Sequence, residues 1–282
     1  MQITFYGVRG SIPTPGAEFV RYGGNTACVH VELDDGTDIV LDAGTGIRLL
    51  GKALFTKDTP IHILLSHNHW DHIQGFPFFS PIFQSNRKII IVPGIVDDNN
   101  STAITDQMQG SLFPVHFNAL LADISIQHID PSISEWQCGE STIRRMLINH
   151  PGGGCAYSIT TETSKLVYLT DNEIYPPYKK NSDFLAFVEF CRDADLLIHD
   201  AQYMLSDMPA KSGWGHSVAE EAVKLAMAAK IKQLALYSHD PERTDDDVDK
   251  IIEHCQLFIQ AVQAPLKLIA SAEGQVIQLS SV

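Results

Sequence analysis

Six short apolar runs in this 282-residue chain end in the same way, with a histidine or an aspartate. Their length and β-branched content predict buried strands. In layered α/β proteins, functional groups collect at strand ends and in the loops that follow them. We therefore expect the terminal side chains to meet at one edge of the fold. In chain order these residues are Asp42, His67, His150, Asp171, Asp200 (after His199) and His239.

Helical patterns lie between these runs. Residues 46–54 and 183–193 carry apolar side chains at helical spacing, and a third pattern begins at Asp245, where acidic residues favour the start of a helix. Ser217 and Glu220 have the spacing of a capping box, which predicts a helix from there to about residue 229. Strands and helices alternate in both halves, so the sequence predicts an α/β protein.

The densest group of polar residues follows the second run. Residues 66–72 contain His67, His69, Asp71 and His72. On an extended segment, residues i and i+2 point the same way, so His67 and His69 can reach one point in space. Asp71 and His72 come where a helix is expected to begin and can face a second point nearby. Imidazole and carboxylate are the ligands of zinc and similar divalent metals.

The charge of the chain limits its partners. The formal net charge is −14, and Lys and Arg cluster only in pairs such as Arg144-Arg145. A protein that grips long nucleic acid carries a basic patch, so no such partner is expected. A small anion remains compatible, because the charge of a bound metal outweighs the distant field.

The cysteines and the hydropathy indicate the compartment. The five cysteines are scattered and form no CxxC pair, which favours buried thiols in a reducing compartment, with the cytoplasm as the expectation. No apolar run is long enough for a membrane span, and the first residues enter a strand pattern with no signal-peptide character. A membrane partner is not expected.

The pattern His67-x-His69-x-Asp71-His72 resembles the signature of the metallo-β-lactamase superfamily of metal-dependent hydrolases. The resemblance covers nearly all of residues 1–282 and implies a single domain with that fold. The fold is an αββα four-layer sandwich, in which two mixed sheets face each other and helices cover the outside. The resemblance also implies a homodimer.

The family pattern places a ligand set on this chain. It implies two divalent metal ions, zinc by preference, with manganese or iron as alternatives. Asp42 matches a position that orients ligands through hydrogen bonds. The implied ligands are His67, His69 and His150 for the first ion, Asp71, His72 and His239 for the second, and Asp171 as the bridging carboxylate.

Two further motifs resemble the phosphodiesterase branch that includes RNase Z. Asp200 stands where RNase Z commonly has glutamate, and Gly215-His216-Ser217 matches its histidine loop. By this resemblance a metal-bound hydroxide attacks phosphorus, and His216, oriented by Asp200, acts as general acid on the leaving oxygen. The implied catalytic residues are Asp71, Asp200 and His216.

The predicted function is a dinuclear metal-dependent phosphodiesterase. Asp171 follows His150 by only 21 positions, an interval in which tRNA-processing relatives carry a long basic arm. A small phosphodiester is therefore expected, a 3′,5′-cyclic nucleotide first. The alternatives are an RNase Z-like ribonuclease on short RNA, a lactamase- or thioesterase-type hydrolase, and a sensing module without catalysis.

A Gly- and Pro-broken aromatic segment lies between the second and third histidine motifs. Residues 105–121, within a stretch of about 100–125, include Met108, Phe113, His116 and Phe117. They could form a lid over a nucleobase, a dimer contact or ordinary core, and the sequence leaves these three open.

Overall fold

The computed structural model describes residues 1–130 and 132–279. Pro131 and residues 280–282, which the predicted single domain of 1–282 also includes, lie outside the described residues. The strands are β1 (Gln2–Gly7), β2 (Cys28–Glu32), β3 (Asp38–Leu41), β4 (Ile61–Leu64), β5 (Lys88–Val92), β6 (Asp123–Ile126), β7 (Glu135–Cys138), β8 (Ser141–Leu147), β9 (Cys155–Thr160), β10 (Lys165–Leu169), β11 (Leu196–Asp200), β12 (Gln233–Tyr237), β13 (Lys267–Ala270) and β14 (Val276–Gln278).

The strands form two mixed seven-stranded sheets. The first has the order β14-β1-β2-β3-β4-β5-β6 and the second the order β13-β12-β11-β10-β9-β8-β7. In each sheet an antiparallel part is followed by parallel strands, β3 to β6 in the first and β10 to β13 in the second. Parallel neighbours end at the same edge, which brings the residues after β3, β4, β10, β11 and β12 close together.

The helices cover the outer faces of the two sheets. They are α1 (Ile47–Leu54), α2 (Trp70–Ile73), α3 (Ala103–Asp106), α4 (Phe184–Cys191), α5 (Ala219–Ala228) and α6 (Asp245–Ala261), with short 3₁₀ turns at Ala17–Phe19, Phe76–Phe78, Ser80–Phe83, Phe117–Ala119 and Leu205–Asp207.

Three apolar layers hold the four structural layers together. Phe5, Val31 and Leu41 of the first sheet meet Tyr157 and Ile198 of the second in the layer between the sheets. The helices α4, α5 and α6 pack on the other face of the second sheet, and α1 with the 3₁₀ turns packs on the first. Because both faces of each sheet are covered, strands such as β3 and β11 are buried along their whole length. The predicted αββα four-layer sandwich is confirmed.

Helix starts follow capping chemistry, with one correction. Thr244 and Asp247 form a capping box at the start of α6. The capping box predicted at Ser217 is wrong, because α5 begins at Ala219 and the Ser217 hydroxyl donates instead to the carbonyl of Asn172. The Ser217 hydroxyl therefore links the start of α5 to the loop that follows β10.

Part of the predicted lid segment is core. Met108 is fully buried beneath the first sheet, and Phe113 and Phe117 pack against the same layer. Leu112 is 75% exposed and lies outside that core. Lid closure and a dimer contact at residues 105–121 stay predictions.

Candidate active site

Side chains that follow strands of both sheets meet at one edge of the sandwich. They form three groups, each with ligand atoms within 4.8 Å of one another, and Asp171 belongs to all three. The groups are His67, His69, His150 and Asp171; Asp71, His72 and Asp171; and Asp171, Asp200 and His216.

Asp171 lies at the centre of the histidines. Its Oδ2 is 3.2 Å from Nε2 of His72, 3.6 Å from Nε2 of His67 and 3.9 Å from Nε2 of His150. The residue follows β10 with φ 45°, a left-handed turn that aims the carboxylate at the edge of the sandwich. One carboxylate oxygen thus faces three imidazole nitrogens.

The hydrogen bonds of His67 and His72 leave their Nε2 atoms facing this carboxylate. His72 Nδ1 donates to Asp42 at 2.8 Å. His67 Nδ1 lies 3.0 Å from the Ser66 hydroxyl, which itself donates to Asp42, so the ring nitrogen is the donor to that hydroxyl. Among the described residues neither Nε2 has a hydrogen-bond partner, although both are buried. Buried lone pairs of this kind fit a cation and would otherwise be costly.

Asp42 organises this side of the site from beneath. It is fully buried, and besides His72 and the Ser66 hydroxyl it accepts bonds from the Ser66 amide and the Tyr168 hydroxyl, the latter at 2.8 Å. Tyr168 belongs to β10 and Ser66 follows β4, so the carboxylate joins the two sheets. Asp42 orients His72 as expected and is in none of the three ligand groups.

His150 and His69 complete the first group. His150 Nδ1 donates to the carbonyl of Gly215 at 2.9 Å, and His150 Nε2 lies 2.9 Å from Nδ1 of His69. Burial lowers the pKa of His150 to about 4, so the ring is neutral at pH 7. A neutral imidazole held through one nitrogen presents the other as a ligand.

Asp71 is held by a loop that sequence reasoning did not identify. The backbone amide of Ser11 donates to Asp71 Oδ2 at 2.8 Å, and Ser11 is itself held at φ 65°. Gln202 reaches the Ser11 hydroxyl at 3.3 Å. Residues 10–16 are rich in Pro and Gly, but nothing in the sequence indicated that this loop contacts Asp71.

His239 departs from the predicted ligand set. Its Nε2 donates to the carbonyl of Ser271 at 2.9 Å, and its ring packs against Tyr22 at 5.5 Å. Within the described chain it belongs to none of the ligand groups. Ser238 takes the inward position instead, with its hydroxyl 3.5 Å from Asp171 Oδ1. The reason is the left-handed conformation of Ser238 (φ 58°), which turns the chain after β12 and sends the next side chain away.

Asp200 and His216 form a buried pair beside Asp171. His216 Nδ1 donates to Asp200 Oδ2 at 2.9 Å, and the amides of Asn172, Gln202 and Ser217 donate to the same carboxylate. Burial alone would lower the pKa of His216, but the negative charges of Asp200 and Asp171 outweigh it and raise the pKa to about 9. The imidazole is therefore protonated at neutral pH.

Glu173 positions the loop that carries His216. This buried carboxylate accepts from the amides of Gly213 and Gly215, at 2.9 Å and 3.0 Å. The Gly215 carbonyl accepts a hydrogen bond from His150, so the peptide group between Gly215 and His216 links the predicted ligand His150 to His216. Sequence reasoning missed Glu173; its signal was a second acid directly after the strand end at Asp171.

Gly215 has no room for a side chain. A Cβ there would lie 2.1 Å from His150 Nδ1, and φ is 89°, in the left-handed region. We expect Gly215→Ala to displace His150, to reduce bound metal by at least about tenfold and to destabilise the fold by about 2–4 kcal/mol. Metal analysis and thermal unfolding measure both. Gly213→Ala is the matched control: its φ is 88°, but its Cβ would approach only Pro177, at 3.2 Å. Equal metal loss in both variants would contradict the collision with His150.

Comparison with known proteins identifies the family. The family model described as "Beta-lactamase superfamily domain" matches residues 37–239, which is well over half of the chain. The chain belongs to this superfamily. With its His/Asp cluster, it is a metallo-β-lactamase-type hydrolase, as the sequence predicted. Within the described residues, no helix is both long enough and apolar enough to cross a membrane.

Curated relatives of this superfamily protein match over most of their length. Ribonuclease Z of Thermoplasma acidophilum is 25% identical, with 88% of this chain and 89% of the relative covered. Ribonuclease Z of Staphylococcus carnosus is 25% identical, with 91% and 94% covered. The chain is thus similar to RNase Z along nearly its whole length.

Solved structures show the same superfamily fold. The metallo-β-lactamase fold protein YhfI from Bacillus subtilis superposes with a TM-score of 0.68 at 20% identity, covering 98% of this chain and 99% of that one. The short form of human tRNase Z gives 0.66 at 17% identity, covering 99% of each chain. A diphosphatase from the PhnP family gives 0.69 at 16% identity, covering 100% and 99%. At these identities the likeness concerns the fold alone.

Proposed function

We propose that this protein is a dinuclear metal-dependent phosphodiesterase that acts on a small phosphodiester, with a 3′,5′-cyclic nucleotide as the first candidate. The observation that carries the proposal is the buried Asp200–His216 pair, which lies within 4.8 Å of the carboxylate at the centre of the metal cluster. A phosphodiester expels an alkoxide that needs a proton, and this pair places a protonated imidazole beside the cluster.

In this proposal, some residues bind the metal ions and others donate the proton. His67, His69 and His150 would hold one ion, Asp71 and His72 would hold the other, and Asp171 would bridge them. Such ions supply Lewis-acid charge and lower the pKa of bound water to about 7. Asp200 keeps His216 oriented and protonated, and His216 gives its proton to the departing oxygen. Asp71 is held for ligation by Ser11, and Asp42 fixes the ring of His72.

The small size of the substrate is supported by what fills the interval between His150 and Asp171. The strands β9 and β10 form a tight antiparallel hairpin there, and the described chain extends no arm from it. By the family resemblance, an arm that grips tRNA would project from this interval. The net charge of −14 also opposes a long polyanion.

A nucleobase is supported by an aromatic cleft beside the metal motif. The cleft has a volume of about 740 Å³ and is walled by Trp70, Phe78, Leu112 and Phe113. Trp70 stands between the predicted ligands His69 and Asp71 in the chain, and 71% of its surface is exposed. An exposed aromatic side chain adjacent in sequence to two predicted ligands suits the stacking of a base.

The second candidate is a ribonuclease that acts on short RNA. Relatives named Ribonuclease Z that match about nine tenths of this chain favour it. A lactamase- or thioesterase-type activity is less well supported, because its leaving group does not require the acid pair.

Zinc, a homodimer and the cytoplasm are further parts of the proposal. Three imidazoles and a carboxylate suit zinc. Buried free thiols at all five cysteines suit a reducing compartment. The homodimer rests on the family resemblance, and light scattering of the purified protein tests it.

A substrate panel tests the proposal. Cyclic AMP, cyclic GMP, a tRNA precursor and a β-lactam are assayed with zinc- and with manganese-loaded protein. We expect cyclic nucleotides to give the highest kcat/KM. A higher kcat/KM on the tRNA precursor would favour the ribonuclease, and turnover of the β-lactam alone would reject phosphodiester chemistry.

The raised pKa of His216 has a measurable consequence. In the metal-free protein we expect its ring to titrate near pH 9 by NMR, and Asp200→Asn to lower that pKa towards the ordinary value of about 6.5. Because folding raises this pKa, the ring stabilises the fold fully below about pH 6.5 and loses that contribution as the pH rises through about 9. Asp200→Asn should remove this part of the pH dependence of unfolding. An unchanged titration in Asp200→Asn would contradict the role of Asp200.

A further inference from the structure

The two ligand groups around Asp171 are chemically unequal. The first contains three imidazoles, from His67, His69 and His150, together with Asp171. The second has one imidazole, His72, and two carboxylates, of which Asp171 is shared with the first group. Only Asp71 and His72 belong to the second group alone.

The second group could take a further ligand from the residues that follow β12, and there the residue that faces Asp171 is Ser238. The neutral hydroxyl of Ser238 faces Asp171 at 3.5 Å and the side-chain oxygen of Gln202 at 3.4 Å. His239, the only imidazole next to it in the chain, is held away by its bond to Ser271. Among the described residues, the second group therefore contains a single imidazole, and Ser238 brings only a neutral hydroxyl beside Asp171.

We infer that the two metal sites of this protein differ in affinity, with one ion held tightly by the first group and the second ion held weakly and exchangeably, because the second group has a single imidazole and Ser238 presents only a neutral hydroxyl beside Asp171. Neutral hydroxyl and amide oxygens are weaker ligands for zinc than imidazole, and an oxygen-rich site favours harder cations such as Mn²⁺. The inference rests on the two-ion centre of the proposed function, but not on its substrate.

Metal titration of the full-length protein tests this. Metal-free protein is titrated with Zn²⁺ and, separately, with Mn²⁺ by calorimetry, and bound metal is counted after dialysis against a weak chelator. We expect two steps for Zn²⁺, the second at least about tenfold weaker, and one zinc per chain after dialysis. Two ions retained with equal affinity would overturn the inference and leave the proposed function standing. No retained ion would reject both.

Two variants assign the steps to residues. Ser238→His places an imidazole beside Asp171, in a left-handed conformation that histidine tolerates. We expect it to raise the affinity of the second Zn²⁺ binding step by about tenfold or more. His239→Gln keeps a donor for the Ser271 carbonyl and should leave both steps unchanged. Loss of the second step in His239→Gln would show that His239 is a ligand and would overturn the inference, even if Ser238→His does not fold.

Discussion

Asp171→Asn is expected to remove both ions and to lower kcat/KM by on the order of 10³-fold or more. Asp171 Oδ2 lies within 3.2–3.9 Å of the Nε2 atoms of His72, His67 and His150. Among the described residues it is the one side chain that belongs to both ligand groups. An amide in its place is neutral and leaves the two ions without a shared charge. Metal analysis after dialysis and steady-state kinetics on the same samples measure the two effects.

The matched control for this substitution is Asp123→Asn. Asp123 is an exposed carboxylate at the start of β6 and belongs to no ligand group in the described structure. Its replacement makes the same change of charge and should alter neither metal content nor kcat/KM. If Asp171→Asn keeps two ions per chain, the bridging position of Asp171 is wrong.

His216→Ala is expected to discriminate between leaving groups. The imidazole is the proton donor in the proposal, and general acid catalysis contributes about 10²–10⁴-fold. We expect a loss of that size in kcat on an alkyl phosphodiester. On bis(p-nitrophenyl) phosphate the leaving group needs no proton, and the loss should be about tenfold or less.

Two comparisons make this result interpretable. His254→Ala removes an exposed histidine that hydrogen-bonds Glu220 and belongs to no ligand group in the described structure, and it should leave the activity on both substrates unchanged. Metal content of His216→Ala should equal that of the unmodified protein, because His216 is assigned to neither ion. Equal losses on the two substrates would show that His216 acts in binding or folding and has no role as an acid.

The strand ends were readable from the sequence because strand and helix periodicities differ and because buried strands are continuously apolar. Asp42, His67, Asp171 and Asp200 lie at or just after the ends of parallel strands and His150 follows the antiparallel strand β8, and these residues meet at one edge of the fold, as predicted. The family motif added the ligand pattern, and the structure brings every member of it together except His239.

His239 shows a limit of predicting side-chain direction from sequence alternation alone. Alternation assigns opposite faces to Ser238 and His239, but only while the chain remains extended. Strand β12 ends at Tyr237 and Ser238 adopts φ 58°, so the facing residue is set by a turn that no composition rule predicts. The family motif assigned the ligand role to His239, whereas the structure turns Ser238 towards Asp171.

The supporting residues were beyond sequence reasoning for a related reason. Ser11 contacts Asp71 across 60 positions, and Glu173 reaches Gly213 across 40. Such contacts depend on how loops from distant parts of the chain fold over one edge. Ser217 is the same case, since its hydroxyl was expected at a helix start and bonds to Asn172 instead.

Product analysis on metal-reconstituted protein is the most direct test of whether this protein is a metal-dependent phosphodiesterase. Bis(p-nitrophenyl) phosphate and 3′,5′-cyclic AMP are incubated in ¹⁸O-labelled water, and the products are identified by mass spectrometry. We expect p-nitrophenyl phosphate and adenosine 5′-monophosphate, each with one labelled oxygen on phosphorus, and a loss of both products when the metal is removed. Protein that holds its metal, cleaves neither diester and hydrolyses a β-lactam or a thioester would contradict it.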